Sequence, residues 1–233
     1  MINKLKKELK ENSNPKRIKQ LQKFFKTGEG EYGEGQIFLG ISTPKKRDIA
    51  KKYSELNLKE LQQLLESKIH DEKFIALVIL ENRYKKARLK DKERLTNFYL
   101  YNTKNINNWD LVDISAYKIL GEYLIDKKEK RKILYNLAGS KNLWERRISI
   151  ISCFSFIRKK DFSDTINISE KLLKDDQDLI HKAVGWMLRE IGNREKKFLW
   201  SFLEKNYRKM PRTMLRYSIE KFPENERKKW LKK

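Results

Sequence analysis

The chain has 233 residues, enough for one large domain or a continuous repeat array. Lysine and arginine number 55 against 32 aspartates and glutamates, and the formal charge of +23 points to a polyanion, nucleic acid first and an anionic membrane surface second, although part of it is a solvated lysine surface. The single cysteine, Cys153, excludes an internal disulfide framework and favours a reducing compartment, and no apolar run reaches the length of a membrane span.

From the N-terminus onward, residues 1–7 lack the apolar core of a signal peptide, so a cytoplasmic location is expected. The 4 prolines and 9 glycines leave long stretches that read as amphipathic helix. Residues 60–65, 74–84 and 198–203 carry apolar side chains at three- and four-residue steps, and β-alternation is scarce. The chain therefore reads as all-α. Residues 27–35 break the pattern, because four glycines between 28 and 35 cannot stay helical. This segment is expected to be a loop between the second helix and one starting near Thr43-Pro44, either a plain connector or a loop that orders on DNA. Its acidity and its lack of the Lys-Ser/Thr pair exclude a phosphate loop.

A repeat follows. Polar breaks precede apolar helices at His70, Asn108, Asn142, Asp178 and Pro211, residue types suited to N-cap or first-turn positions. Successive starts lie roughly 35 residues apart, the length of a two-helix repeat. The pattern predicts a single HEAT-like α-solenoid over 1–233, whose inner helices line a concave groove. Cys153, in the apolar run 148–157, reads as a buried structural thiol.

The repeat register groups particular side chains. Asp113 falls five residues after Asn108, Arg147 five after Asn142 and Arg216 five after Pro211, with Trp186 eight after Asp178. Trp109 precedes Asp113 by one helical turn, so indole and carboxylate share a face. In equivalent repeats these residues approach one another without closeness in sequence. Such a set fits chemistry on a cationic nucleobase. Alkylation at purine N3 or N7 makes the base a good leaving group. A carboxylate, Asp113, then stabilises the oxocarbenium-like sugar and positions water. The indoles of Trp109 and Trp186 attract the cation, and Arg147 grips a phosphate with a fork that lysine lacks. Taken alone, the same spacing fits core indoles and a structural Asp–Arg pair more readily than catalysis.

Several motifs carry a resemblance. Trp109-Asp110-Leu111-Val112-Asp113, Trp144-Glu145-Arg146-Arg147, His181-Lys182-Ala183-Val184-Gly185-Trp186-Met187-Leu188-Arg189-Glu190 and Phe38-Leu39-Gly40-Ile41-Ser42-Thr43-Pro44-Lys45-Lys46-Arg47 resemble the AlkD-type alkylpurine DNA glycosylases, of the HEAT-like repeat DNA alkylation repair family. The similarity runs from about Phe24 onward. It implies duplex DNA bound in the concave groove and excision of N3- and N7-alkylated purines with no metal and no cofactor. The resemblance further implies cleavage that leaves the damaged base in the duplex, unlike the flipping of most glycosylases. The active site implied is Trp109, Asp113, Arg147 and Trp186. The DNA contacts implied are Phe24, Phe25, Lys45, Arg47, Arg146, His181 and Lys182, with Phe24 and Phe25 standing where the family carries a tyrosine.

The remaining candidates are read from the residues. Arg212 and Arg216 suit phosphate contacts or a solvated face, and the basic tail 227–233 adds nonspecific affinity or closes the last helix. Two histidines and one cysteine make a zinc site unexpected. No lysine in the motif set is placed as a Schiff-base nucleophile, so a monofunctional hydrolase without a lyase step is expected. Its partner is double-stranded DNA containing alkylated purines, with no membrane and no obligate protein partner. The rival readings are a noncatalytic binder of damaged or branched DNA and a HEAT-like protein scaffold. Neither has an evident need for all four central residues.

Overall fold

The computed structural model describes residues 1–232. Among them the chain is all-α, a helical-repeat fold whose one β feature is an isolated parallel bridge between Ile37 and Ile69. None of the described helices is long and apolar enough to cross a membrane. The chain divides into two compact units, Met1–Ser115 and Ala116–Lys233. Lys233, the last residue of the basic tail, lies outside the described residues.

The first unit opens with α1 (Ile2–Glu11), where Leu5 and Leu9, one turn apart, are fully buried. Each contributes about 1.5–3 kcal/mol of burial. Pro15 starts α2 (Pro15–Phe24), where its fixed φ and missing N–H do no harm. Ser42 caps α3 (Thr43–Lys52), accepting from Lys45 N at 3.4 Å. Asn57 and Glu60 form a reciprocal capping box on α4 (Leu58–Leu65), with bonds of 3.0 and 2.9 Å. The centre of the unit is α5 (His70–Lys86), whose residues 70–80 are all buried and which packs on α3, α4 and α6 (Leu89–Tyr101). Its buried charges are partnered: Asp71 accepts from Leu39 N at 2.8 Å and lies 3.6 Å from Lys46, and Glu72 lies 3.4 Å from Lys6. The unit ends within α7 (Trp109–Ala116), at Ser115.

In the second unit α7 runs on into a π-helical turn, Tyr117–Gly121, followed by α8 (Glu122–Leu124). Ser155 donates to the carbonyl of Tyr117 at 2.7 Å, giving a partner to a group at the altered register. Gly121 allows the carbonyl of Ser152 to approach where a Cβ would collide with it. After a short 3-10 turn come α9 (Lys132–Ala138), α10 (Leu143–Ser152), α11 (Phe154–Arg158), α12 (Ser163–Lys171), α13 (Asp178–Gly192), α14 (Lys196–Asn206), α15 (Arg212–Ser218) and α16 (Glu224–Leu231). α10 packs on α9 and α13, and α13 on α14 and α15. Arg131 is a buried cation with full compensation. It donates to Asp161 at 2.7 Å, to Asp164 at 2.8 Å, and to the carbonyls of Leu124 and Ile125 at 3.0 and 2.6 Å. Cys153 is fully buried and its thiol is pushed up by desolvation, as suits a structural position.

The five predicted helix starts stand at or one residue before the observed first residues of α5, α7, α10, α13 and α15. The glycine-rich segment is indeed a loop between α2 and α3, and it is braced from within. Glu31 accepts from Gly28 N at 2.8 Å and Glu34 from Gly30 N at 2.9 Å.

Candidate functional site

In the first unit the candidate residues gather at the start of α7. Buried Asn108 accepts from the backbone N–H of Trp109 at 2.7 Å, satisfying a first-turn donor. Its amide nitrogen donates to Gln36 Oε1 at 2.8 Å, and Gln36 donates in turn to the Asn107 carbonyl at 2.7 Å. From α5, Lys73 donates to the Asn105 carbonyl at 2.9 Å and to Asn107 Oδ1 at 2.8 Å. The turn leading into α7 is thus held from two sides. Desolvation draws the Lys73 ammonium down to about 8.

The indole of Trp109 ends a column of rings. Phe25 stacks on it at 5.2 Å, Phe38 on Phe25 at 4.9 Å, and His70 on Phe38 at 4.5 Å. Phe24 meets the indole edge-on at 5.7 Å while remaining 62% exposed. The structure therefore separates the adjacent phenylalanines: Phe25 is a core ring backing Trp109, and Phe24 faces solvent beside it. His70 Nε2 lies 2.9 Å from Asp110 Oδ1, which ties the head of α5 to the first turn of α7. Half-buried Asp113 follows Trp109 by one turn on the same face. Its charge is felt by buried Tyr99. That phenol is pushed up first by desolvation, eased by its 3.1 Å bond to Ser115, and raised further by Asp113. Lys45 is exposed, and half-buried Arg47 holds its guanidinium 5.9 Å from the Phe74 ring.

In the second unit Asn142 caps α10, accepting from Trp144 N at 2.8 Å. Arg147, only 5% exposed, donates from Nη1 to the Leu179 carbonyl on α13 at 2.5 Å. Its neighbour Arg146 is engaged within the chain: Nε and Nη2 donate to Asp175 at 2.6 and 3.2 Å, and Nη1 to the carbonyls of Ser140 and Lys141. The ring of His181 also meets the Asp175 carbonyl, so Arg146 and His181 brace one turn ahead of α13. Lys182 pairs with Asp178 at 2.7 Å. Half-buried Trp186 donates from Nε1 to Glu190 at 3.3 Å and lies 6.0 Å from Phe154. Arg212 and Arg216 are exposed, with Arg212 donating to the Leu231 carbonyl at 2.8 Å. Arg147 and Arg216 occupy equivalent registers yet differ in environment. Arg147 has α13 packed beyond it, whereas α15 is the last helix at this register.

Sequence reasoning gave no role to Gln36, Lys73, Glu190, Arg194 or Phe154, and read His70 only as a helix start and as one histidine of an unexpected zinc site. Glu190 and Arg194 had a signal in the sequence, since each follows its partner by four residues on a helical period. Gln36 and Lys73 had none, because their partners, backbone and side chain alike, lie more than thirty residues away in sequence.

Residues 5–222 match the family described as DNA alkylation repair enzyme. No curated protein sequence matches the chain. The fold is similar to that of a predicted DNA alkylation repair enzyme from Enterococcus faecalis, with 15% identity over 91% of this chain and 98% of that one and a TM-score of 0.70. It is also similar to AlkD2 from Streptococcus mutans, with 17% identity over 89% of this chain and 97% of that one and a TM-score of 0.57. With the match running through both units and nearly the whole length, the chain belongs to the family of DNA alkylation repair enzymes.

Proposed function

We propose that the protein is a monofunctional DNA glycosylase that hydrolyses the N-glycosidic bond of cationic N3- and N7-alkylpurines in duplex DNA, with 1–233 acting as one HEAT-like domain. The observation that carries this reading is the pairing on α7 of a braced indole with a half-buried carboxylate one turn on, Trp109 and Asp113. An alkylated purine already bears positive charge, so its bond to C1′ breaks with the electron pair leaving on the base. Asp113 stabilises the cationic sugar and orients the water that adds to C1′, whose surplus proton passes to solvent. A column of stacked rings holds the Trp109 face ready for the cation, and Trp186 provides a second indole. Arg147 grips a backbone phosphate.

Backbone contacts fall to exposed Phe24, Lys45, Arg212 and Arg216 and half-buried Arg47 and Lys182, with Phe25, Arg146 and His181 acting from behind as braces. The absence of a lyase step fits Lys73. Its lowered pKa suits a nucleophile, but it is buried and donates to Asn105 and Asn107.

The test is release of 3-methyladenine and 7-methylguanine from methylated duplex DNA, measured by chromatography, with Asp113→Asn in parallel. The wild type releases both, and the variant loses about 100-fold or more in rate while retaining DNA binding. Release by neither, with binding that weakens steeply with salt, replaces this reading with a noncatalytic DNA binder.

A further inference from the structure

Trp186 belongs to a closed ring of contacts within the second unit. Its indole N–H donates to Glu190 Oε1 at 3.3 Å. The other carboxylate oxygen of Glu190 accepts from Arg194 Nη1 at 2.7 Å, and the same nitrogen donates to the Glu190 carbonyl at 2.8 Å. The Arg194 guanidinium stands 5.6 Å over the ring of Phe154, and Phe154 lies 6.0 Å from Trp186 at 40°. Tyr117, in the π-turn, meets Phe154 edge-on at 5.2 Å. Trp186, Phe154 and Tyr117 are each half-buried, leaving part of every ring accessible.

We propose that Glu190 is a positioning residue for Trp186, holding the indole at one tilt and enriching its π face to receive the positive charge of an alkylated base. This rests on the reading that Trp186 meets that base. The physical case has three parts. An indole has two side-chain torsions, and a hydrogen bond at Nε1 removes the freedom to flip about the second. Anionic charge at the N–H raises the negative potential of the ring face that attracts a cation. The acceptor carboxylate is itself held by one bond from Arg194, whose Nη1 is anchored by a second bond to the Glu190 carbonyl, so it does not follow solvent. Arg194 places a cation over Phe154 and Lys118 one over Tyr117, at 5.6 Å each, so within this trio the indole is the ring left to accept positive charge.

The experiment measures single-turnover excision of 7-methylguanine from duplex DNA at saturating enzyme, for wild type, Glu190→Ala, Glu190→Gln, Trp186→Phe and Trp186→Phe/Glu190→Ala. Thermal unfolding of each variant establishes that it folds. Glu190→Ala is expected to lower the excision rate about 10-fold, with Glu190→Gln, which keeps an acceptor but loses the charge, recovering only part of it. Phenylalanine has no N–H, so removing Glu190 in the Trp186→Phe background should change little further. Equal losses in both backgrounds, or a wild-type rate for Glu190→Ala beside an impaired Trp186→Phe, would overturn the role of Glu190 and leave the glycosylase reading standing. A wild-type rate for both single variants would instead remove Trp186 from the site. A second readout needs no activity: acrylamide quenching of the fluorescence that wild type has and Trp186→Phe lacks. Glu190→Ala should make that component more accessible, and unchanged quenching would refute the positioning even if the wild type excises nothing.

Discussion

Arg147 reaches across from α10 and donates to the carbonyl oxygen of Leu179 in the first turn of α13 at 2.5 Å. A guanidinium so placed has a structural task as well as the phosphate contact proposed for it. Arg147→Ala should lower stability by about 1–3 kcal/mol, because a part-buried hydrogen bond from a charged donor is lost. It should also weaken binding to duplex DNA. Arg147→Lys should restore part of the stability, since an ammonium reaches one acceptor, but less of the DNA affinity, since it lacks the fork. Denaturant unfolding and a fluorescence binding titration separate the two losses.

Asp110 is expected to matter through His70. His70 is 1% exposed, its Nε2 is 2.9 Å from Asp110, and its Nδ1 has no hydrogen-bond partner among the described residues. Asp110→Ala leaves the imidazole N–H buried without an acceptor, at a cost of about 1–3 kcal/mol in thermal or denaturant unfolding. Asp110→Asn keeps an oxygen in place and should be milder. An unchanged unfolding midpoint in the alanine variant would show that the pair does not brace α7.

The pH dependence of stability should carry the mark of Lys73. Desolvation lowers its folded pKa to about 8 from an ordinary value of 10.5. Between those values the unfolded chain binds more protons than the folded one, so this group makes stability rise with pH across that window. Below the folded pKa the penalty of the buried charge is present in full, and it fades as pH climbs through the window toward the unfolded pKa. Wild type should therefore gain on Lys73→Met between pH 7 and pH 10, when the two midpoints are compared at each pH. The difference staying constant with pH is the outcome that contradicts this.

At Gly185, α13 and α15 approach closely. A Cβ there would stand 2.5 Å from Tyr217 Cβ and 2.6 Å from the Met214 carbonyl. Backbone cannot yield as a side-chain tip can, so Gly185→Ala should destabilise by about 1–3 kcal/mol despite the better helix propensity of alanine. Gly121→Ala should behave likewise against the Ser152 carbonyl. Scanning calorimetry of the two variants would test both, with a raised midpoint in either as the contrary result.

Periodicity, caps and turn chemistry act within a few residues, and for that reason the all-α class, the helix starts at His70, Asn108, Asn142, Asp178 and Pro211, and the loop of glycines were legible in the sequence alone. The proximity of Trp109 to Asp113 was legible for the same reason, since one helical turn is a local geometry. What only tertiary structure decided is which polar group has which partner. Phe24 and Phe25 are identical in sequence terms, yet one is exposed and the other sits between Phe38 and Trp109. Adjacent Arg146 and Arg147 diverge to Asp175 and to the Leu179 carbonyl. Lys73 and Gln36 hold the turn ahead of α7 through asparagine side chains and through backbone oxygens, and the latter have the same chemistry at every residue. Burial and long-range hydrogen bonding depend on which surfaces packing brings together, and no local pattern encodes that choice.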